Sequence, residues 1–278
     1  MIIACEEGEV EYDIPALEKE NASVEFIENE EDLNYETLLH LHQKYQPTQV
    51  MIEYNGMWDN TKFVDEICID QWQVVQILTT ISAETFDLYY NNMRGQFVYH
   101  ITGSDLVIVN RCDENTKKYP IRGSIKSLNP MCQIVYENKN RQIEDLTVND
   151  LPYNLNDDYI EVNDMDYGIF CMHIMENPQI YENKTIKIKG KVIGRDKLIE
   201  NGFVLGRQAM VCCSDDMQLL GLVCISKYAK DLIKDEWLVV DGTISLEYDE
   251  SIQSNIPILH VDHLEGAKPL KNEYVTFD

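Results

Sequence analysis

Basic residues are scarce in this sequence. Its 278 residues include 23 lysines and arginines against 49 aspartates and glutamates, which gives a formal net charge of −26. A surface with this charge repels the phosphate backbone of nucleic acids, so the composition predicts no nucleic-acid partner. Such a surface would accept cations, although an acidic face is more often simply a soluble one.

Long apolar runs, a basic leader and paired cysteines are also lacking. No apolar run approaches the length that crosses a bilayer, and Met1 is followed by an acidic stretch instead of the regions of a signal peptide. None of the eight cysteines forms a Cys-x-x-Cys pair, and we interpret them as reduced thiols. These features predict a cytoplasmic protein without direct membrane insertion.

The first half of the chain alternates between strand-like and helical segments. Hydrophobic residues make up 44% of the sequence, which is enough for real cores. Strand-like segments rich in branched residues occupy 2–5, 24–28, 49–55, 72–81, 105–110 and 131–137, and helical spacing occupies 35–45 and 83–101. This alternation predicts an α/β domain over residues 1–137, with a mostly parallel sheet and helices on both faces.

The second half has a different pattern. Residues 138–158 are polar and without periodicity, which is typical of a linker. Residues 159–278 predict a helix at 167–177 and then a small β-barrel of the OB type. Its five strands are predicted at 185–194, 202–213, 219–226, 237–248 and 256–266, with a short helix at 227–233 after the third strand.

The tetrapeptide Asn110-Arg111-Cys112-Asp113 follows an apolar strand. A carboxylate at Asp113 can accept hydrogen bonds from the N1–H and N2–H2 groups of guanine, a donor pair that adenine lacks. Asn110 would hold the loop, and the stem of Arg111 would pack over the base. A plain polar turn after a strand is the alternative interpretation.

Two acidic segments follow other predicted strands. Glu53 and Gly56 lie where nucleotide phosphates and Mg²⁺ bind in parallel sheets, and a glycine lets the backbone approach a phosphate. Glu6, Glu9 and Asp13 supply carboxylates, which suit Mg²⁺. The alternative for Glu53 is a local cap or salt bridge, and for Gly56 a turn. The alternative for Glu6, Glu9 and Asp13 is a solvated acidic loop.

The order of these segments resembles the CobW-type GTPases, metal-homeostasis members of the P-loop class. That family's Asn-Glu-x-Gly-Glu…Asp, Glu-x-x-Gly and Asn-Lys-x-Asp motifs are similar to residues 5–13, 53–56 and 110–113, and its Asn-Pro is similar to Asn129-Pro130. The resemblance implies a GTPase-like sheet, GTP and Mg²⁺ as cofactors, and Glu53 as the catalytic residue that orients Mg²⁺ or the attacking water. It implies nucleotide binding by Asn110, Arg111, Asp113, Gly56, Glu6, Glu9 and Asp13.

The sequence departs from that family in two places. It contains no Gly-x-x-x-x-Gly-Lys-[Ser/Thr] loop, which supplies most of the phosphate contacts in this class. It also lacks the family's Cys-x-Cys-Cys motif between residues 24 and 50, and His40 and His42 lie about 200° apart on a helix, too far to form one site. We therefore expect impaired nucleotide chemistry, with little GTP affinity or hydrolysis.

The segment "GRQAMVCCSDD", residues 206–216, resembles the OB-like C-terminal domain of bacterial permease partner proteins, and "DEWLVVDGTI" at 235–244 also fits. The resemblance rests on Gly206, Arg207, Cys212, Cys213 and Asp216. Adjacent cysteines on a strand point to opposite faces, so Cys212 and Cys213 do not readily share one ion.

Cys212 and Asp216 are the candidate ligands of a zinc ion, which accepts sulfur and oxygen donors. Asp215, Cys224 and the pair His260 and His263 are alternative ligands. A structural role is the favoured interpretation for Cys213 and Cys224, because cysteine is a common small buried residue.

Two functions follow from the sequence. The first is a GTP-binding regulator or metallochaperone-like protein of metal homeostasis. The second is a non-catalytic scaffold whose acidic OB-like domain contacts a permease or another protein. The sequence leaves the oligomeric state and the identity of the metal open.

Overall fold

The computed structural model describes residues 1–6, 8, 10–60, 62–196, 199–210, 217–250 and 252–275. The chain separates into two compact units. The first unit contains residues 1–79 and 89–106, and the second contains residues 80–88 and 107–278.

A small parallel sheet forms the centre of the first unit. Its strands are β1 (Ile2–Ala4), β2 (Val24–Phe26) and β3 (Met51–Glu53), in the order β2-β1-β3. The central strand contributes Ile3, which is fully buried against Leu38 and Leu41. A parallel sheet at this position agrees with the prediction for the first three strand-like segments.

Helix α2 (Tyr35–Tyr45) has the bounds that the sequence predicts. Asn34 caps its start, since the Asn34 side chain accepts a hydrogen bond from the Thr37 backbone N–H at 3.0 Å. The helix ends at Gln46, which adopts a left-handed conformation with a φ of 44° just before Pro47. The apolar face of α2 therefore meets the sheet over three turns.

The remaining N-terminal elements differ from the single sheet that the sequence predicts. The other elements are helix α1 (Ile14–Lys19), a π-turn (Phe63–Ile67), helices α3 (Phe86–Asn92), α4 (Arg94–Thr102) and α5 (Lys118–Leu128), and strands β4 (Leu78–Ser82), β5 (Leu106–Cys112), β6 (Gln133–Asn138) and β7 (Ile143–Glu144). Strands β4 to β7 form a second sheet in the order β4-β5-β6-β7, so the described strands are divided between two sheets. The predicted helix at 83–101 is interrupted at Met93.

The predicted linker at 138–158 carries structure. Strand β7 pairs antiparallel with β6, and Leu151 and Leu155 are buried in the core of the second unit. The segment around Leu151 and Leu155 is mostly polar and shows no helical or strand periodicity, which explains why the sequence predicts a linker there.

The second unit is built on a five-stranded barrel. From residue 159 onward this unit contains strand β8 (Tyr159–Glu161), helix α6 (Tyr167–Glu176), and strands β9 (Thr185–Arg195), β10 (Gly202–Met210), β11 (Met217–Ile225), β12 (Trp237–Asp249) and β13 (Ser254–Gly266). The barrel strands follow the order β9-β10-β11-β13-β12, and β12 pairs back with β9 to close the ring. All of these pairs are antiparallel except β11 with β13. The predicted OB-like barrel is confirmed.

Alternation along β9 explains why this segment forms a barrel wall. Ile186, Ile188 and Val192 are buried, and the lysines between them face outward. Helix α6 packs Phe170 and Ile174 against the same core, and both are fully buried. The predicted helix at 167–177 is confirmed.

The predicted helix at 227–233 is wrong. The segment forms only turns, with Ala229 N–H bonded to the Ser226 carbonyl at 3.0 Å. A seven-residue stretch is too short to propagate a helix unless packing stabilises it, and Ile233 is 70% exposed.

No helix in the described part of the chain has the length and apolar character needed to span a membrane.

Candidate functional site

Glu53 and Glu6, two of the predicted nucleotide-site residues, lie at the carboxyl edge of the parallel sheet. Glu53 ends β3, and its carboxylate accepts a hydrogen bond from the Tyr12 hydroxyl at 2.5 Å. Glu6 follows β1 and accepts a hydrogen bond from the Gly56 backbone N–H at 3.4 Å. Glu53, Gly56 and Glu6 thus lie at one edge of the sheet, and Tyr12, which the sequence did not single out, is the partner of Glu53.

The ionisation of Tyr12 and Cys5 reflects this arrangement. Burial and the hydrogen bond to Glu53 raise the pKa of Tyr12 to about 12. Burial, with a smaller contribution from Glu53, raises the pKa of Cys5 to about 11. Both groups are neutral at pH 7, so Glu53 is held by a neutral donor and neither neighbour supplies a reactive anion.

Asp13 has a local role. Its side chain accepts a hydrogen bond from the Ala16 backbone N–H at 3.1 Å and caps α1. The sequence left a solvated acidic loop as the alternative for Asp13, whereas the structure gives it the role of a helix cap. Glu9 lies outside the described residues.

The guanine-motif residues are built differently from a base-binding loop. Strand β5 continues to Cys112, two residues beyond the predicted strand end at Asn110, so Arg111 lies within the strand and not in the loop that the sequence predicts. The Asn110 carbonyl accepts a hydrogen bond from Ala83 N–H at 2.9 Å. Arg111 has a φ of 57°, a conformation that is unusual for a side chain of its size.

The carboxylate of Asp113 makes its contacts within the turn that follows β5 and with Lys139. Its Oδ1 accepts hydrogen bonds from Asn115 N–H at 3.0 Å and from the Thr116 hydroxyl at 3.3 Å. Its Oδ2 lies 3.2 Å from the Lys139 ammonium. The Asn115 N–H and Lys139 hold the pKa of Asp113 below its ordinary value. A carboxylate in this arrangement stabilises a turn before α5, which is the plain alternative to guanine recognition.

Arg207 is a buried side chain of the barrel with several hydrogen bonds. The ladder between β9 and β10 extends only as far as the pair Gly206 and Lys191. Beyond it, the Arg207 Nε and Nη2 atoms both donate to the Lys189 carbonyl, at 2.9 and 2.7 Å. Nη2 also lies 2.5 Å from the Asp164 carboxylate, and the Arg207 side chain is only 3% exposed. The guanidinium thus continues the seam between two strands where backbone pairing stops.

Aromatic rings and further cations surround Arg207. Its guanidinium carbon lies 4.2 Å from the Tyr167 ring centre and 5.6 Å from that of Trp237. The ammonium groups of Lys189 and Lys191 each lie 5.7 Å from the Trp237 ring. Trp237 is 4% exposed, and its indole N–H has no acceptor among the described residues. Three cations around one indole form a local basic cluster in a strongly acidic chain.

The C-terminal segment crosses this cluster. Ala267 N–H donates to the Trp237 carbonyl at 2.7 Å, Glu273 pairs with Lys191 at 2.7 Å, and Val275 N–H donates to the Gln208 carbonyl at 2.9 Å. These contacts reach β12, β9 and β10 in turn, so the segment holds three neighbouring strands together. It adds support where the β9–β10 ladder ends.

The predicted zinc ligands Cys212 and Asp216 lie outside the described residues, as do Cys213 and Asp215. Cys224 is fully buried in the barrel core, and burial raises its thiol pKa well above the ordinary value. His260 bonds Ser245 at 2.7 Å. Among the residues that the structure describes, no three His, Cys, Asp or Glu side chains are grouped to hold a metal.

A two-stranded arm extends beyond the barrel. Strand β12 pairs with β9 only as far as Thr243, and β13 pairs with β11 only from Ile258 onward. Among the strands that the structure describes, residues 246–249 and 254–257 therefore pair with each other alone, and we call them the arm. Tyr248 and Ile252, on the arm and its connecting turn, are 64% and 58% exposed.

Comparison with known proteins places the barrel half in a family. Residues 137–276, half of the chain, match the family model of the DUF1980 C-terminal domain. The chain belongs to the DUF1980 C-terminal domain family. The match begins after β5 and gives no support to the CobW resemblance of residues 1–137.

One curated relative and several solved structures are similar to parts of the chain. A protein of Streptococcus mutans serotype c, named "Putative two-component membrane permease complex subunit", is 26% identical over 98 residues, which is 35% of each chain. The chain thus spans about a third of that relative's length.

Two of the similar solved structures are single-stranded-DNA-binding proteins. Rim1 from S. cerevisiae mitochondria is 11% identical, with 30% of this chain and 93% of that chain covered and a TM-score of 0.23. The small protein of Streptomyces coelicolor is 13% identical, with the same coverage and a TM-score of 0.21. The barrel is defined by its own strand order and by the pairing of β12 with β9.

The sequence did not reveal Asp164, Lys189 or the C-terminal contacts as parts of the barrel site. Arg207 and Trp237 were available as signals, because both lie in the segments that resemble permease partner proteins. Their convergence depends on barrel closure, which brings strands far apart in sequence together.

Proposed function

We propose that this chain is a non-catalytic interaction protein, whose barrel binds a protein partner within a membrane permease complex. The similarity to the Streptococcus mutans permease complex subunit is the observation that carries this proposal. Membership of the DUF1980 C-terminal domain family supports assigning the role to the barrel half.

The construction of the barrel supports a binding role. Arg207, Asp164 and the C-terminal segment fix the β9–β10 seam through buried or paired polar groups. A barrel held in this way presents its outer surface and its arm without rearrangement, which lowers the entropic cost of association.

The contacts of the guanine-motif residues support a scaffold over a nucleotide enzyme. Both Asp113 oxygens are bonded within the chain, and Glu53 is bonded to Tyr12. A base or a hydrated Mg²⁺ would have to replace these bonds, which reduces the net gain from binding. One observation favours the alternative of a GTP-binding regulator, namely that Glu53, Gly56 and Glu6 share one sheet edge.

Affinity capture from detergent-solubilised membranes tests the proposed function. The tagged full-length chain is expected to enrich a multi-spanning membrane protein over an unrelated tagged protein of similar acidity. The acidic control matters because a net charge of −26 attracts basic proteins unspecifically. Equal enrichment by both proteins would refute the proposal.

Isothermal titration with GTP and Mg²⁺ tests the alternative. We expect no saturable heat from the full-length chain. Saturable GTP binding that disappears in Asp113→Asn, and that an excess of ATP does not displace, would instead establish a guanine-specific pocket.

Zinc binding at Cys212 and Asp216 stays a separate proposal. Metal analysis of the purified chain and of Cys212→Ser tests it, with Cys224→Ser as the control for a buried thiol. Equal zinc content in the chain and in Cys212→Ser would remove Cys212 as a ligand.

A further inference from the structure

The two edges of the arm differ in their ability to pair with another strand. Ile244, just before the arm, directs its backbone toward the β9 side, since its N–H donates to the Lys184 carbonyl at 3.0 Å and its carbonyl accepts from Asn183 N–H at 2.9 Å. Backbone direction alternates along an antiparallel strand, so Leu246 and Tyr248 direct their N–H and carbonyl groups to the same side. In the described part of the chain, nothing pairs with them there.

The opposite edge is closed. Leu246 lies opposite Pro257 and Tyr248 lies opposite Asn255, so Asn255 and Pro257 direct their backbones outward on the β13 edge. Proline has no N–H to donate, and a proline on an edge strand prevents further strand pairing. The arm therefore offers one edge for strand addition, the edge of β12.

Side chains along the open edge indicate the kind of segment that fits. Tyr248 supplies a large exposed ring beside a half-buried Leu246. Glu247 and Glu250 are exposed and acidic, and the chain as a whole carries a charge of −26. An incoming strand is favoured if it combines apolar side chains with lysine or arginine.

We propose that the β12 edge of the arm at Leu246–Tyr248 binds an extended, basic segment of the protein partner by strand addition. This proposal rests on the proposed function and names the surface and the chemistry of the partner segment. Strand addition derives its affinity from main-chain hydrogen bonds, and alternate side chains provide its specificity.

A designed peptide tests the proposal directly with the full-length chain. The probe is an acetylated, amidated peptide of about six residues that alternates valine and lysine, the usual length of one strand. We expect saturable binding by fluorescence anisotropy and slower hydrogen exchange at the Leu246 and Tyr248 amides. Absence of binding, or protection elsewhere without protection at these two amides, would overturn the proposal.

Paired proline variants separate edge recognition from general attraction of a basic peptide. Tyr248→Pro removes an outward N–H on the open edge, and Asn255→Pro makes the same change directly across the arm on the closed edge. Neither change removes a hydrogen bond between β12 and β13. We expect Tyr248→Pro to weaken peptide binding about tenfold, the equivalent of about 1.4 kcal/mol, and Asn255→Pro to leave it unchanged. Equal weakening in both variants would refute the proposal.

Two further probes examine charge and ligand class. A peptide that alternates valine and glutamate is expected to bind much more weakly, and equal binding would contradict the role of Glu247 and Glu250. A labelled oligothymidylate is expected not to bind. Oligothymidylate binding that depends on Tyr248 would make the arm a nucleic-acid surface and overturn the proposal.

The outcome for this edge is distinguishable from that for the proposed function. If membrane capture succeeds and is unchanged in Tyr248→Pro, the permease role stands and the arm proposal fails. If the peptide binds at Leu246 and Tyr248 but capture enriches no membrane protein, the edge is a strand-binding site and the permease role fails.

Discussion

The strands of the parallel sheet are three residues long, whereas the barrel strands run for nine to thirteen residues. Closure gives each barrel strand two neighbours along much of its length, so backbone pairing and a continuous core stabilise it. The short strands end after three paired residues, and side chains such as Tyr12 and Glu6 hold the segments that follow them. The barrel is thus held by long paired strands around a continuous core, whereas the sheet has a smaller buried cluster and half-exposed polar contacts at its edge.

The largest expected effect on stability is at Arg207, whose substitution tests the role of buried polar groups in the barrel. Arg207→Ala should lower the free energy of unfolding by about 3 kcal/mol, because it leaves the Lys189 carbonyl without two donors and opens a cavity in the seam. Chemical denaturation followed by tryptophan fluorescence measures the change.

Arg122→Ala is the matched control for Arg207→Ala. Arg122 is likewise paired with a carboxylate, since its Nη2 donates to both carboxylate oxygens of Glu176, at 2.8 and 2.9 Å. Its side chain is 21% exposed and Glu176 is 40% exposed, so we expect a loss of less than about 1 kcal/mol. Similar losses of unfolding free energy in the two variants would mean that the burial of Arg207 does not make its contacts stronger than those of Arg122.

Gly242→Ala should have the next largest effect. A Cβ atom at this position would lie 2.2 Å from the His260 carbonyl oxygen, beside the bulge between Asp241 and Gly242. We expect a loss of about 2 kcal/mol from the backbone shift that must follow. Gly194→Ala, on β9 with no atom within 4 Å of its Cβ, should leave the melting temperature unchanged or slightly raised.

A smaller effect is expected at the sheet edge. Tyr12→Phe removes the hydrogen bond to Glu53 and should cost about 1 kcal/mol. The pKa of Tyr12 is raised from 10 to about 12 in the folded chain. The contribution is therefore complete below pH 10 and lost as the pH rises toward 12.

Unfolding measured between neutral pH and pH 12 tests the Tyr12 prediction, with Tyr99→Phe as the exposed control. Tyr99 is 57% exposed in the same unit, and its substitution should change nothing. A stability difference between the chain and Tyr12→Phe that persists unchanged above pH 12 would contradict the assignment.

The smallest effect is expected at Asp113. Its folded pKa lies below the ordinary value of 3.8, so its contribution is present above that pH and is lost as the pH falls through the folded pKa. Carboxyl titration by NMR should show the lowered pKa, and Lys139→Met should move it back toward 3.8. An ordinary pKa for Asp113 in the unmodified chain would remove the turn-stabilising role.

The barrel could be predicted from sequence because its signals are local. Alternation of isoleucine and lysine in β9 and the run of five strand-like segments give nearly correct bounds for all five strands. Helix α2 was equally accessible, since Asn34 and Pro47 mark its two ends. These patterns depend on neighbouring residues and need no knowledge of distant contacts.

The rest depends on contacts between distant residues. The apolar run at 72–77 resembles a strand, yet β4 begins at Leu78 and Val75 is 86% exposed. The guanine-like tetrapeptide is divided between a strand and a turn, and Lys139, 26 residues after Asp113, completes the turn. Asp164 pairs with Arg207 across 43 residues. No local pattern identifies such partners, so the seam was inaccessible to sequence reasoning.

Pro257 has a consequence for how many chains could join at the arm. A strand added to the β12 edge would make the arm a three-stranded ribbon. The outer edge of that ribbon, on β13, carries Pro257, which has no amide hydrogen. Growth at that side stops at once, so assembly through this edge is self-limiting. Pro257 thereby limits the number of added strands at the arm to one.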